Sequence, residues 1–454
     1  MKKRWTKLLC AGVACTMVMG LMTGCGTQSE QAASEPAEET SPAVEEETVE
    51  TAEASGDVIE LRWLSSQIGE SAEAEWFSNV VEGFNKEYEG RIHINVDGVA
   101  GEGVQEKLRT DAAGGTMPDL FMLNADAARF NLIADAEVAA DLTPYMEKDA
   151  ELWDRVDKSS ADAYRDSQGR LLGLPYARSY IGIYYNMDLL EKAGVSEIPA
   201  TWDEYFESCQ KIKDSGVYPN ALMTGENSWT TMLILTFALG STPEGQKWLA
   251  ESTPETANLT DPAVVSAVEK LQRMLSEYAT PDAVGASYAV AANNFMNEQA
   301  AIISNGPWMI PELRNPETAA EGLADNIKYG VGPENSVCRT ENIAYAIGSK
   351  DPEKIEAAFE VLKYLARDEV YAGFLNASGN VQTISVDESL LELDPINADF
   401  LGNAMNADYQ FTQFSNCVKA AVSDGMGQVL PGLADGSMTA EEFCEQLQSI
   451  SDAN

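Results

Sequence analysis

Among the 454 residues there is a single histidine, His93, and this removes most nucleophilic and metal-dependent chemistry. Ser–His and Cys–His dyads need an imidazole base, and zinc sites need clustered His, Cys or carboxylate ligands. His93 falls in the alternating run Arg91-Ile92-His93-Ile94-Asn95-Val96, where the apolar residues mark one strand face and the histidine the other. The chain contains no P-loop, nucleophile elbow, zincin helix or EF-hand loop. Carboxylates are abundant, with 73 Asp and Glu, so chance pairs are certain. A hydrolytic pair is defined by its separation across the substrate, which a sequence does not give. Cys209, Cys338, Cys417 and Cys444 are scattered singly, and a body this large needs no staples, so buried free thiols are expected. Neither metal nor cofactor is expected. One cation invites a binding role: the planar fork of Arg178 can clamp a carboxylate or bridge two hydroxyls, or it can pair with an acidic neighbour.

The elements that would position such groups alternate between strand and helix. Val58-Ile59-Glu60-Leu61-Arg62-Trp63-Leu64 reads as a strand, followed by a helix with Trp76, Phe77, Val80, Val81, Phe84 and Tyr88 at three- and four-residue spacing. A period-two strand at Ile92, Ile94 and Val96, a helix stopped by Gly114-Gly115, and Leu120-Phe121-Met122-Leu123 continue the pattern. This is the signature of an α/β fold, a mostly parallel sheet with helices on both faces. Farther on, Asp188 is expected to cap a short helix, and Thr201 with Glu204, and Thr439 with Glu442, fit capping boxes. Ligands gather at strand carboxyl ends in such sheets. That selects Ser66 and Gln67 after the first strand and Asn124 and Asp126 after the third.

The amino-terminal segment tells a separate story. Lys2, Lys3, Arg4 and Lys7 precede an apolar run from Leu8 to Leu21, which is short for a bilayer span. Residues 1–24 therefore read as a signal peptide. Leu21-Met22-Thr23-Gly24-Cys25 resembles a bacterial lipobox, with Cys25 as the lipid-bearing residue. Residues 25–56 form an acidic tether, rich in Glu, Ala, Ser and Thr, with too little apolar surface to fold. The remaining body of roughly 400 residues is too long for one core. The net charge is −43, which argues against nucleic acid and disfavours strongly anionic cargo.

Five segments of the body resemble the extracellular solute-binding proteins of ABC importers, the family that includes the maltose-binding protein. They are Gly115-Thr116-Met117-Pro118-Asp119-Leu120-Phe121, Asp141-Leu142-Thr143-Pro144-Tyr145, Gly182 through Leu190, Pro199 through Glu204, and Ala300 through Trp308. The resemblance implies two α/β lobes joined by hinge crossovers, with the ligand enclosed between them. One lobe would combine 57–178 with 345–388 and the other 179–344 with 389–454. The crossovers would lie at Arg178–Tyr180, Ala344–Ile347 and Ser385–Ser389.

On that resemblance, Trp308 occupies a position that stacks on a sugar ring and Trp229 a second aromatic platform. A neutral sugar needs both an apolar, polarisable surface for its C–H faces and polar side chains for its hydroxyls. Ser66, Gln67, Asn124 and Asp126 would supply the polar rim, with Arg178, Ser179 and Tyr180 contributing from the crossover. Gln413 and Phe414 would complete a wall, with Tyr409 and Phe411 competing for that place. The expected role is capture of a sugar or short oligosaccharide by a lipid-anchored monomer on the outer face of the membrane, with delivery to ABC permease subunits and no enzymatic step. The alternatives are a non-sugar solute (sugar acid, polyamine or peptide) on the same fold, or a ligand sensor without a transporter.

Overall fold

In the computed structural model, residues 58–69, 71–101 and 103–454 are described; the signal segment, Cys25 and the tether lie outside them. The strands are Ile59–Ser65 (β1), Ile92–Gly98 (β2), Leu120–Leu123 (β3), Leu174–Asn186 (β4) and Tyr218–Asn220 (β5). Ala300–Asn305 (β6), Ile327–Gly330 (β7), Ser336–Ile347 (β8), Val381–Gln382 (β9) and Tyr409–Phe411 (β10) complete them. β1 pairs in parallel with β2 and β3, as the alternation of strand and helix requires, but β3 runs antiparallel to β8 and β4 runs antiparallel to β6, β7, β8 and β9, so the sheet is mixed and not mostly parallel as expected. The hydrogen-bonded order is β2-β1-β3-β8-β4-β6-β5, with β10 on β8 and with β7 and β9 on β4.

Two large cores flank this order. The first gathers Leu61, Trp63, Phe77, Phe84, Tyr176, Tyr345 and Phe374. The helix Ala72–Glu87 joins it through Trp76, Phe77, Val80 and Phe84, and Phe77 meets Trp63 edge-on at 4.8 Å. Burying each such side chain contributes about 1.5–3 kcal/mol. Ile183, Tyr185, Tyr205, Phe237, Leu271 and Phe443 belong to the second core. β4 is covered on both faces there: Tyr185 enters that core, while Tyr184 turns the other way and stacks on Tyr329 at 4.0 Å. The helix Trp229–Gly240 is buried at every residue after Trp229, as a helix apolar on all sides must be.

Two long strands carry the chain between lobes. Along β4 the side chains belong to the first core up to Ala177 and to the second from Ile181, so Arg178–Tyr180 fall in the interval between them. In β8 the change comes between Cys338 and Ile343. The expected crossover at Ala344–Ile347 is thus displaced, because those four residues pair with β3 and are part of the first core. The last change lies between Leu391 and Ile396, later than Ser385–Ser389. Ser385 is still tied to the first lobe by donating its N–H to the Arg155 carbonyl at 2.8 Å.

Local expectations are corrected in three places. Asn186, not Asp188, caps the helix Met187–Lys192 by accepting the Leu189 N–H at 3.2 Å; Asp188 sits in the first turn and pairs with Lys192. Val96 is 44 % exposed, since β2 has β1 as its only strand neighbour and nothing covers its far end. The Thr439–Glu442 capping box is complete. At Thr201, by contrast, the Glu204 carboxylate accepts from Ala200 N, one residue earlier. Cys209, Cys338, Cys417 and Cys444 are buried and free, and burial pushes the Cys209 thiol up to about 12. No helix among the described residues is long and apolar enough to cross a membrane.

Candidate functional site

Trp308 follows β6 in a short 3-10 turn, Pro307–Met309. Its placement depends on Gly306. A Cβ on that residue would lie 2.2 Å from indole atoms Cη2 and Cζ3, so the ring folds back over backbone that only glycine leaves open. Trp229 begins its helix after a strained loop in which Glu226 and Ser228 both have positive φ, 52° and 55°. The two indoles lie with centroids 6.1 Å apart at 53°, and Tyr288 backs Trp229 at 4.9 Å. The result is a continuous aromatic wall.

Two connected cavities open on either side of Trp308. The first, about 620 Å³, is lined by Trp229, Trp308, Asp126, Arg109, Gln413 and Asp424, among others. The second, about 850 Å³, is lined by Ser66, Gln67, Glu73, Asn124, Glu312 and again Trp308. Gln105, Arg129 and Asn342 also face both. Side chains from the first lobe and from the second thus share each cavity, and the aromatic wall stands at their junction.

Of the residues selected from the sequence, Trp308, Trp229, Ser66, Gln67, Asn124, Asp126 and Gln413 line these cavities. Asp126 also caps the helix Ala127–Asp135, accepting the Arg129 N–H at 3.1 Å. Asn124 donates from Nδ2 to the Asn342 carbonyl at 2.6 Å, and its Oδ1 is buried without a partner. Gln67 is held at both ends of its amide. Its Oε1 accepts from Tyr345 Oη at 3.0 Å, and its Nε2 donates to Glu73 at 3.2 Å.

Four others fall outside both linings. Arg178 donates through Nε to Glu341 at 2.7 Å and through Nη2 to Ser160 at 2.6 Å, with Asp157 at 3.3 Å. Its guanidinium is therefore neutralised within the crossover, and its charge is held up by those carboxylates. Ser179 is fully buried and bonds to Asn380. Tyr180 packs against the cluster of Tyr184 and Tyr329. Phe414 is fully buried and stacks on Trp248 at 5.7 Å and 10°; it is a core residue, and Gln413 alone of that pair reaches the cavity.

The sequence reading missed Glu73, Glu312, Arg129, Asn342 and Tyr288. Glu73 lies within the first turn of the helix after β1, one step beyond the strand-end rule that selected Gln67. Glu312 lies four residues after Trp308, one helical turn away. Tyr288 carries no local signal. Burial raises the carboxyl of Glu73, and the charge of Glu312 adds to this against the Gln67 hydrogen bond. Burial likewise raises Glu312, which accepts the Tyr288 hydroxyl at 3.3 Å.

A two-lobed α/β molecule with an aromatic-walled cleft between the lobes defines a class of ligand-enclosing proteins. The family profile of bacterial extracellular solute-binding proteins matches residues 69–372, and the chain belongs to that family. A binding protein of Brucella abortus (strain 2308) is 26 % identical over 335 residues, covering 71 % of this chain and 76 % of its own. The multiple sugar-binding protein of Streptococcus mutans serotype c is 25 % identical over 249 residues, 53 % of this chain and 56 % of its own. Among solved structures, a chitin oligosaccharide binding protein superposes with a TM-score of 0.79 at 23 % identity, covering 88 % of this chain and 99 % of that one.

Proposed function

We propose that this protein is an extracellular solute-binding lipoprotein that captures a sugar or short oligosaccharide between its lobes and hands it to an ABC permease. The observation that carries the reading is the Trp229–Trp308 wall at the junction of two polar-rimmed cavities fed by both lobes. Indole faces offer the polarisable surface that sugar C–H groups prefer, and Gln67, Asn124, Asp126 and Gln413 offer donors and acceptors to hydroxyls. A ligand touching both lobes stabilises the closed arrangement by its differential affinity for it. Relatives named as multiple sugar-binding and arabinooligosaccharide-binding proteins support the cargo class. On this reading the expected lobes, 57–178 with 345–388 and 179–344 with 389–454, keep their order with the boundaries moved to between Cys338 and Ile343 and between Leu391 and Ile396; Cys25 carries the lipid, and 25–56 is the spacer. No chemical step is required of it.

A sugar acid was the main rival cargo, and its support rested on Arg178. With that guanidinium paired to Glu341 and Asp157, the acidic reading loses its clamp. The test is a thermal-shift screen across mono-, di- and oligosaccharides, amino acids and polyamines. A ligand that binds only the folded state at 100 times its Kd adds about 2.7 kcal/mol of apparent stability. A rise with saccharides, saturable by calorimetry and without products, is the expected result. Stabilisation by amino acids or polyamines alone would overturn the cargo assignment, and released hydrolysis products would overturn the binding role.

A further inference from the structure

The second cavity is built to receive a donor-rich, positively charged group. Glu73 enters it from the first turn of the helix Ala72–Glu87 on one lobe, and Glu312 from the helix Ile310–Arg314 on the other. Among the described residues, neither carboxylate is paired with a cation. Glu73 receives the Gln67 amide and Glu312 the Tyr288 hydroxyl, both neutral donors. Asn124, 8 % exposed, lines the same cavity, and its Oδ1 has no hydrogen-bond partner. The amide cannot be reversed, because its Nδ2 is fixed on the Asn342 carbonyl. Two carboxylates therefore face one space, with the Asn124 amide on its wall. The other charged side chains on its lining are Glu75, Glu317 and Arg129, so acidic groups outnumber basic ones.

A hydroxyl brings a single donor and two lone pairs, which leaves such acceptors under-filled. An ammonium group brings three donors and no acceptor. Trp308 borders the same cavity and offers a ring face to the sugar that would carry the amine. We propose that the natural cargo is an amino sugar, a saccharide with a free, protonated amine seated between Glu73 and Glu312 beside Asn124. This rests on the sugar-binding reading and narrows it. Burial and the mutual repulsion of the two carboxylates raise Glu73, and burial raises Glu312. An ammonium placed between them would relieve both.

The test uses matched pairs by calorimetry on the purified protein at pH 7.5: glucosamine against glucose, galactosamine against galactose, and β-1,4-linked glucosamine trimers against their N-acetylated and glucose counterparts, with spermidine as a sugar-free amine. The expected result is that the amine member of at least one pair binds ten-fold or more tightly than its neutral partner. Glu312→Gln and Glu73→Gln should each cut that ratio to within about three-fold, with unliganded melting temperatures confirming that both variants fold. If every neutral or acetylated member binds as well as its amine partner, the amino-sugar assignment is overturned and the sugar reading stands. If spermidine binds and no saccharide does, the sugar reading fails as well. A ratio that survives both substitutions would also overturn the proposal.

Discussion

The two cavities beside Trp308 share a wall and differ in how their charges are settled. In the first, Arg109 answers Glu106 at 2.6 Å and Asp424 at 3.2 Å, and Asp126 has Arg129 at 3.7 Å. The Arg109–Asp424 pair also spans the cleft, from the helix Gly103–Gly114 to the helix Ala420–Ala434. In the second, Glu73 and Glu312 have only neutral donors and sit in burial that favours their protonated forms. The first chamber pairs its carboxylates with arginine, except Glu226, which accepts the Tyr288 N–H, and it presents the aromatic face. The other keeps unmet acceptor capacity, which in a buried setting is unfavourable until a ligand supplies donors. On the proposed reading, shape would be recognised on one side of the indole and charge on the other.

That contrast can be broken by substitution. The largest effect is expected outside both chambers, at Arg178. Arg178→Ala leaves Glu341 with only the longer Arg339 contact at 3.5 Å and should lower unfolding stability by up to about 3 kcal/mol, read by chemical denaturation, with little change in ligand preference. A loss of affinity without a loss of stability would return Arg178 to the site. Next comes Trp308→Ala, which should weaken binding by ~1–3 kcal/mol while the body stays folded; calorimetry with the best saccharide from the screen reads it. Tyr288→Phe removes the hydroxyl that Glu312 accepts and that receives Asn305 Nδ2 at 3.1 Å. About 1 kcal/mol of affinity should be lost, mostly from ligands that reach the acidic chamber.

The smaller effects sharpen the electrostatic half of the comparison. Arg109→Ala deletes two exposed ion pairs, to Glu106 and Asp424, and should change affinity by less than about 1 kcal/mol, with the difference vanishing in high salt. In the unliganded protein, Glu73 and Glu312 have folded-state pKa values above the ordinary carboxylate range. Their charged forms are therefore disfavoured by folding. Their destabilising contribution is full at neutral pH and fades as pH falls through the raised values. Glu73→Gln or Glu312→Gln should accordingly raise the unliganded melting temperature slightly at pH 7.5 and hardly at all near pH 4.5. Equal shifts at both pH values would remove the electrostatic explanation.

Much of the fold was legible because its signals are local. The spacing of Trp76, Phe77, Val80 and Phe84 defines a helix face whatever it packs against, and Thr439 with Glu442 closes a cap within four residues. The strand-end rule located Gln67, Asn124 and Asp126, since chain direction in a parallel sheet fixes which end of each strand the loops occupy. Phe414 shows where such reading stops. Aromatic type and loop position suited a ligand wall, yet the ring stacks on Trp248, a residue 166 positions earlier. The position of Arg178 was equally clear, but whether its fork would meet ligand or Glu341 depended on strand pairing between β4 and β8.

By itself, then, the sequence determined the α/β class, the strand and helix periodicities and the separation of an amino-terminal segment from the body, and through the resemblance it offered Trp308 and Trp229 as candidate platform residues. Tertiary structure decided which polar groups share a cavity. It set Glu73 opposite Glu312, left the Asn124 oxygen unmatched, and tied Arg178 into the crossover. The physical reason is range. Helix faces, caps and strand alternation are fixed by neighbours within a few residues. Desolvation and charge pairing depend on what two distant segments exclude or supply once they are packed together.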